Sequence, residues 1–102
     1  MDAKSVEYQK MIAWEAKPYF PKLLEGPISL EVTFLFPFPK RWRKKDKIDK
    51  PHISRPDLDN LVKAIKDALN GIAWKDDAQI YSIKCTKSYS SGPLISIKIK
   101  EM

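Results

Sequence analysis

Residues 55–79 read RPDLDNLVKAIKDALNGIAWKDDAQ, Arg55 to Gln79. The stretch decides the architecture because it holds one whole amphipathic helix with acidic residues at both ends. At about 100° per residue, Leu58, Leu61, Val62, Ile65, Leu69 and Ile72 fall on one apolar arc. Asp59, Lys63, Lys66 and Asn70 fall on a polar arc beside it. Pro56 and Asp57 supply a start signal. Asn70-Gly71 supplies the stop, since glycine accepts the left-handed conformation that closes a helix. Ala73, Trp74 and Lys75 then lead into Asp76-Asp77, just before a β-like run that begins near Ala78. Should the helix fold back toward that run, the carboxylates of Asp57 and Asp59 would meet those beyond its far end.

Working outward, the segment from about Ala3 to Ala16 is expected to be helical. Val6, Met11, Ile12 and Ala13 recur at near-helical spacing, and Pro18 and Pro21 end it. From Ile28 to Phe38 the alternation is strict: Ile28, Leu30, Val32, Phe34, Phe36 and Phe38 share one face, with Ser29, Glu31 and Thr33 opposite. This predicts a strand with one buried side. A further strand is expected over about Gln79 to Lys87. Ser90-Ser91-Gly92-Pro93 then reads as a turn into a last strand in which Ile95, Ile97 and Ile99 alternate against Ser96, Lys98 and Lys100, so these two are expected to form a hairpin. The order is helix, strand, basic loop, helix, strand, strand. It predicts an α+β fold, a single domain over residues 1–102 with its helices packed on a small mixed sheet.

A chain of 102 residues buries only roughly 60 to 70% of its unfolded surface, so its core is modest and association would help it. No run of about 18 apolar residues and no basic-then-apolar leader is present, which argues against a membrane span and a secretory signal. One cysteine, Cys85, allows no internal disulfide, and a reducing cytoplasm is the expected compartment. Cys85 falls in a strand and reads as a small buried residue. The formal charge of +6 is concentrated: Lys40, Arg41, Arg43, Lys44, Lys45, Lys47 and Lys50 face only Asp46 and Asp49. Pro37, Pro39 and Pro51 flank this segment, and Trp42 within it offers an aromatic face that packs or stacks on a base. It reads as a loop for phosphate contacts, and equally, taken alone, as a solvated run.

The acidic residues carry the chemistry. Hard cations such as Mg²⁺ take oxygen ligands, keep several waters and lean on few carboxylates plus substrate phosphate. Asp57, Asp59 and one of Asp76 or Asp77 suffice for that. With one histidine, His52, and one cysteine, no zinc set competes. Spacing alone leaves a second reading open, in which Asp57 caps the helix, Asp59 favours its dipole and Asp76-Asp77 is a solvated turn.

The ordered pattern Arg55-Pro56-Asp57-Leu58-Asp59-Asn60-Leu61, with Lys63 in the helix and Asp76-Asp77-Ala78-Gln79 beyond it, resembles the signature of RusA-type endodeoxyribonucleases. These are the small Holliday junction resolvases of bacteria and their phages. The resemblance covers roughly residues 3 to 100. It implies catalytic, cation-binding aspartates at Asp57, Asp59 and Asp77 and a catalytic lysine at Lys63. It gives Asp76 no defined role and sets Asp67 to orient Lys63 one turn away. It further implies Mg²⁺, with Mn²⁺ as a substitute, and a homodimer making paired phosphodiester cuts at four-way junctions in DNA recombination and repair. Lys40, Arg41, Arg43, Lys44, Lys45, Lys47 and Arg55 would then hold the DNA. Two other functions stay in view, a DNA-binding module without catalysis and a nuclease of the same fold acting on flaps or forks. Family members open with a further strand and a Pro- and basic-rich segment, whereas this chain opens nearly at its first helix with Met1-Asp2-Ala3-Lys4. An open sheet edge is expected to follow.

Overall fold

The computed structural model describes residues 3–102, and within the first helix the side chains of Glu7 and of Gln9 onward. Helix α1 (Ala3–Ala16) runs into a 3₁₀ turn at Lys17–Tyr19. Strand β1 (Ile28–Pro37) follows, then the basic segment with a 3₁₀ turn at Lys44–Asp46 and a two-residue strand β2 (Lys50–Pro51). Helix α2 (Leu58–Leu69), a 3₁₀ turn at Asp77–Gln79 and strands β3 (Ile80–Ser90) and β4 (Leu94–Glu101) complete the chain. The α+β reading holds, with both helix positions as expected. Val6, expected on the apolar side of α1, lies outside the described side chains. Ile12 of that helix is buried while Met11 is exposed.

The sheet order is β2-β3-β1-β4. β1 is central because it is the most apolar strand: Ile28, Leu30, Val32 and Phe34 are all buried on one face, as its alternation predicts. It pairs in parallel with β3 (Leu30 opposite Ile83, Val32 opposite Cys85, Phe34 opposite Lys87). On its other side it pairs antiparallel with β4 (Leu30 opposite Ile99, Val32 opposite Ile97). The expected β3–β4 hairpin therefore does not form. The strands flank β1, and the Ser91–Pro93 link passes over the end of β1. Pro37 and Pro39, which lack an amide donor, stop that strand and turn it out of the sheet. Parallel pairing of β1 with β3 demands a long crossover, and α2 supplies it.

Both helices pack on the same face. Ile12 of α1, Ile65, Ala68 and Leu69 of α2, Ala73, Trp74 and the inward residues of β1 make one core. α2 closes at Asn70, and Gly71 takes φ +79°, the stop its sequence foretold. The opposite sheet face carries Ser29, Thr33, Ser82, Thr86 and Ser96, with Glu31 flanked in register by Lys84 and Lys98. These are favourable cross-strand charge neighbours on a polar surface. β2 covers β3 only at Ser88 and Tyr89, so among the described residues the outer edge of β3 is open from Ile80 to about Thr86.

Candidate active site and nucleic-acid interface

The N-terminal end of α2 presents its acidic pair to solvent. Asp57 is the N-cap, in extended conformation, and its carbonyl accepts from the Leu61 amide (3.1 Å). Its carboxylate makes no capping hydrogen bond, so the side chain is available for another partner. Asp59, in the first turn, accepts from the neighbouring Asn60 amide (3.1 Å). Lys63 follows one turn later on the same side. It is exposed and, among the described residues, unpaired with Asp59 or Asp67, the latter exposed as well. The segment leading in is held from the sheet. Lys87 Nζ donates to the carbonyls of Ser54 (2.6 Å) and Pro56 (2.7 Å).

Asp77 stands at the other end. Trp74 is fully buried, and its indole Nε1–H donates to Asp77 Oδ1 (2.8 Å), giving the ring the polar partner it needs. Asp76 has a different task. Its carboxylate accepts from the Ala78 amide (2.9 Å), while Gln79 Oε1 accepts from the Asp76 amide (2.8 Å), a reciprocal capping box. Gln79 Nε2 also donates to the carbonyls of Leu24 (2.9 Å) and Gly26 (3.1 Å), fastening this turn beside the entry to β1. The structure thus groups Asp57, Asp59 and Lys63, with Arg55 close in the chain, and sets Asp77 apart by the length of α2. Among the described residues no three His, Cys, Asp or Glu side chains approach closely enough to share a metal ion.

Asp57 and Asp59 fit a hard cation as donors. They are exposed oxygens not engaged in capping, next to open solvent that can supply the remaining waters. Asp77 keeps its second carboxylate oxygen free of the indole.

Lys40, Arg41, Arg43, Lys44, Lys45, Lys47 and Arg55 are all exposed, and among the described residues only Arg43 of this set forms an ion pair, with Asp46 at 3.8 Å. The loop is anchored by aromatic rings. Trp42 packs on Tyr89 (4.7 Å between centroids) and near Phe38 (6.1 Å), and Lys50 lies over the Trp42 ring at 4.3 Å. His52, buried, stacks on Phe36 (4.1 Å) and against Tyr89 (4.6 Å). Its Nδ1 has no hydrogen-bond partner among the described residues. Burial, and then the Lys87 charge, push its pKa below the usual 6.5, against a smaller backbone hydrogen bond. Burial raises the Cys85 thiol, which leaves it a packing residue.

Sequence reasoning quoted Gln79 within the family pattern without giving it a task, and gave none to Trp74, His52 or Lys87. The Asp-x-x-Gln spacing of Asp76 and Gln79 is the legible signal for the capping box. Lys87 carries no such signal, since a strand lysine is ordinarily solvated.

An exposed acidic pair with a lysine one turn along thus stands at the mouth of α2, and an aromatic-anchored basic loop precedes it in the chain. The chain belongs to the RusA endodeoxyribonuclease family: residues 1–100 match the family described as Endodeoxyribonuclease RusA. It is therefore a nuclease of the junction-resolvase type. It is 36% identical over 108 residues to the uncharacterized protein YqaN of Bacillus subtilis (strain 168), a match covering 98% of this chain and 76% of that protein. It is 34% identical over 80 residues to the crossover junction endodeoxyribonuclease rusA of Lactococcus phage r1t, covering 74% of this chain and 56% of the phage protein. Similar chains thus come from a bacterium and a bacteriophage. Among the described residues no helix is long and apolar enough to cross a membrane.

Proposed function

We propose that the chain is a divalent-cation-dependent endonuclease that resolves four-way DNA junctions by paired phosphodiester hydrolysis, as a homodimer, in bacterial or phage recombination and repair in the cytoplasm. The observation that carries this reading is the free acidic pair Asp57 and Asp59 at the mouth of α2, with Lys63 one turn along and the exposed basic loop nearby. Asp57 and Asp59 would hold Mg²⁺, or Mn²⁺ in its place. When bound, such an ion lowers the pKa of its water and offsets charge on the phosphate oxygens. Lys63 turns its ammonium toward negative charge developing on the phosphate. The basic loop and Arg55 hold the flanking backbone, an interaction that salt weakens.

Two features support a dimer. Asp77 and the Asp57–Asp59 pair lie at opposite ends of one helix, so two copies placed side by side in opposite directions bring Asp77 of each to the acidic pair of the other. Exposed apolar residues, Met11, Tyr19 and Leu94, also rim an open groove of about 1210 Å³ between the helices and the sheet, an apolar surface that a second copy would cover. A junction is close to two-fold symmetric, and a two-fold dimer matches it.

The test compares a synthetic four-way junction with linear duplex and with flap and fork substrates, each with and without Mg²⁺. Cation-dependent paired cuts on the junction are expected. Binding without cutting, or a preference for flaps or forks, would overturn the reading.

A further inference from the structure

Lys87 points the wrong way for a surface lysine. It lies opposite Phe34 in the β1–β3 register, on the strand face that also carries Cys85 and Tyr89 and looks toward the helices. A half-buried ammonium loses water on that face and must recover hydrogen bonds. No carboxylate pairs with it among the described residues. It spends its donors on the carbonyls of Ser54 and Pro56, at 2.6 and 2.7 Å. These are short, charge-assisted contacts to neutral acceptors.

The two carbonyls flank Arg55, and the second belongs to the residue directly before Asp57. The segment from Ile53 to Pro56 has no helix or strand pairing of its own, and Ile53 is 91% exposed. Next to it, the His52 amide donates to the Lys87 carbonyl (3.2 Å). Both ends of one residue of β3, side chain and backbone, therefore fasten the strand-to-helix link that ends in the acidic pair. Asp57 has no capping bond of its own to fix it.

We infer that Lys87 is a positioning residue: its ammonium clamps the Ser54–Pro56 bend to the sheet and so fixes where Asp57 and Asp59 face a divalent cation. The inference rests on the reading of those two aspartates as cation ligands. The clamp works through the backbone, so Lys87 itself touches neither cation nor DNA. Residues that orient ligands in this way typically change metal affinity by about 10- to 100-fold when removed.

The experiment uses the full chain. Lys87→Met keeps the stem and removes the donors, Lys87→Arg restores donors, and Lys87→Gln serves if the methionine variant does not fold. Backbone relaxation by NMR should show the order parameters of Ser54 and Arg55 falling from about 0.85 to below about 0.6 in Lys87→Met, with β1 and β4 unchanged. Mn²⁺ broadening of the Asp59 and Asn60 amide signals should need about tenfold more Mn²⁺ for half effect, and Lys87→Arg should recover part of this. A rigid Ser54–Arg55 segment without the ammonium overturns the clamp. A loosened segment with unchanged Mn²⁺ response overturns its positioning role. Absence of Mn²⁺ broadening in the unaltered protein overturns instead the ligand reading of Asp57 and Asp59, and leaves the clamp without that purpose.

Discussion

Two variants that are each inactive should rescue one another. α2 has 12 residues, and at 1.5 Å rise per residue it separates Asp57 from the residues past Asn70 by roughly 18 Å. Carboxylate oxygens sharing one Mg²⁺ at about 2.1 Å each stand only about 3–4 Å apart. Aspartate is too short to make up the difference from either end, and the Trp74 contact at 2.8 Å holds Asp77 where it is. A complete acidic set in the proposed dimer then needs Asp57 and Asp59 from one protomer and Asp77 from its partner. In a dimer of Asp57→Asn with Asp77→Asn, one site contains both lesions and the other none. Random pairing at equal concentration makes roughly half the dimers mixed, each with one of two sites intact, so nicking should return to roughly a quarter of the unaltered level. Paired resolution should stay absent. The assay mixes the two proteins, allows subunit exchange, and follows each 5′-labelled strand of a four-way junction in Mg²⁺. Asp57→Asn with Asp59→Asn is the control, because both lesions fall in the same half-site and no mixed dimer is whole. If the first mixture is as dead as the control, a single protomer supplies the whole site and the two-ended argument is wrong.

The adjacent aspartates should separate by phenotype. Asp76→Ala removes an N-cap and should lower stability by about 1 kcal/mol in denaturant melts, whereas Asp77→Asn keeps an acceptor for Trp74 and should abolish cutting with little change in melting. His52 has a depressed folded pKa, so as pH falls through 6.5 the unfolded chain takes up the proton first. Stability should decline from there and level off below the folded pKa; a flat melting profile between neutrality and mild acid, or one unchanged by His52→Phe, would refute that assignment. Neutralising Arg41, Arg43, Lys44 and Lys45 together should make log affinity against log salt shallower, by about 0.9 for each duplex phosphate that the variant no longer neutralises. An unchanged slope would make the loop a bystander.

What the sequence discloses here is what short-range periodicity controls. β1 announces itself because inward and outward residues alternate without a break from Ile28 to Phe34. α2 does so because its apolar arc is bounded by Asp57 at one end and Asn70-Gly71 at the other. The expected β3–β4 hairpin fails for a reason of the same kind. Ser90-Ser91-Gly92-Pro93 does make a tight link, but a turn says nothing of which strand lies beside which. Sheet order is set by competition for the two edges of β1, a contact between residues about 50 to 70 positions apart in the chain. Lys87 is hidden in the sequence for a similar reason. A strand lysine is ordinarily solvated, and only the register opposite Phe34 turns it inward.

The acidic motif shows where local reading stops. Its residues are correctly ordered along the chain, yet order fixes no distance, and the helix Leu58–Leu69 that lies between the two acidic pairs is a spacer, not a hinge. Each end of that spacer is separately fastened. Lys87 ties down the link before Asp57, while the Asp76–Gln79 box and the carbonyls of Leu24 and Gly26 tie down the turn that carries Asp77. A chain needing its carboxylates together in one protomer would gain nothing from holding them apart so firmly. In a dimer the same rigidity is useful, because two fixed points on each copy set the partner's orientation and make a lone protomer incomplete. Cutting would then wait on association, and an enzyme that acts only as a pair is protected from leaving a junction nicked on one strand. The corresponding signature is a specific activity that falls on dilution faster than DNA binding does. Activity proportional to protein concentration far below the dimer dissociation constant would remove this argument.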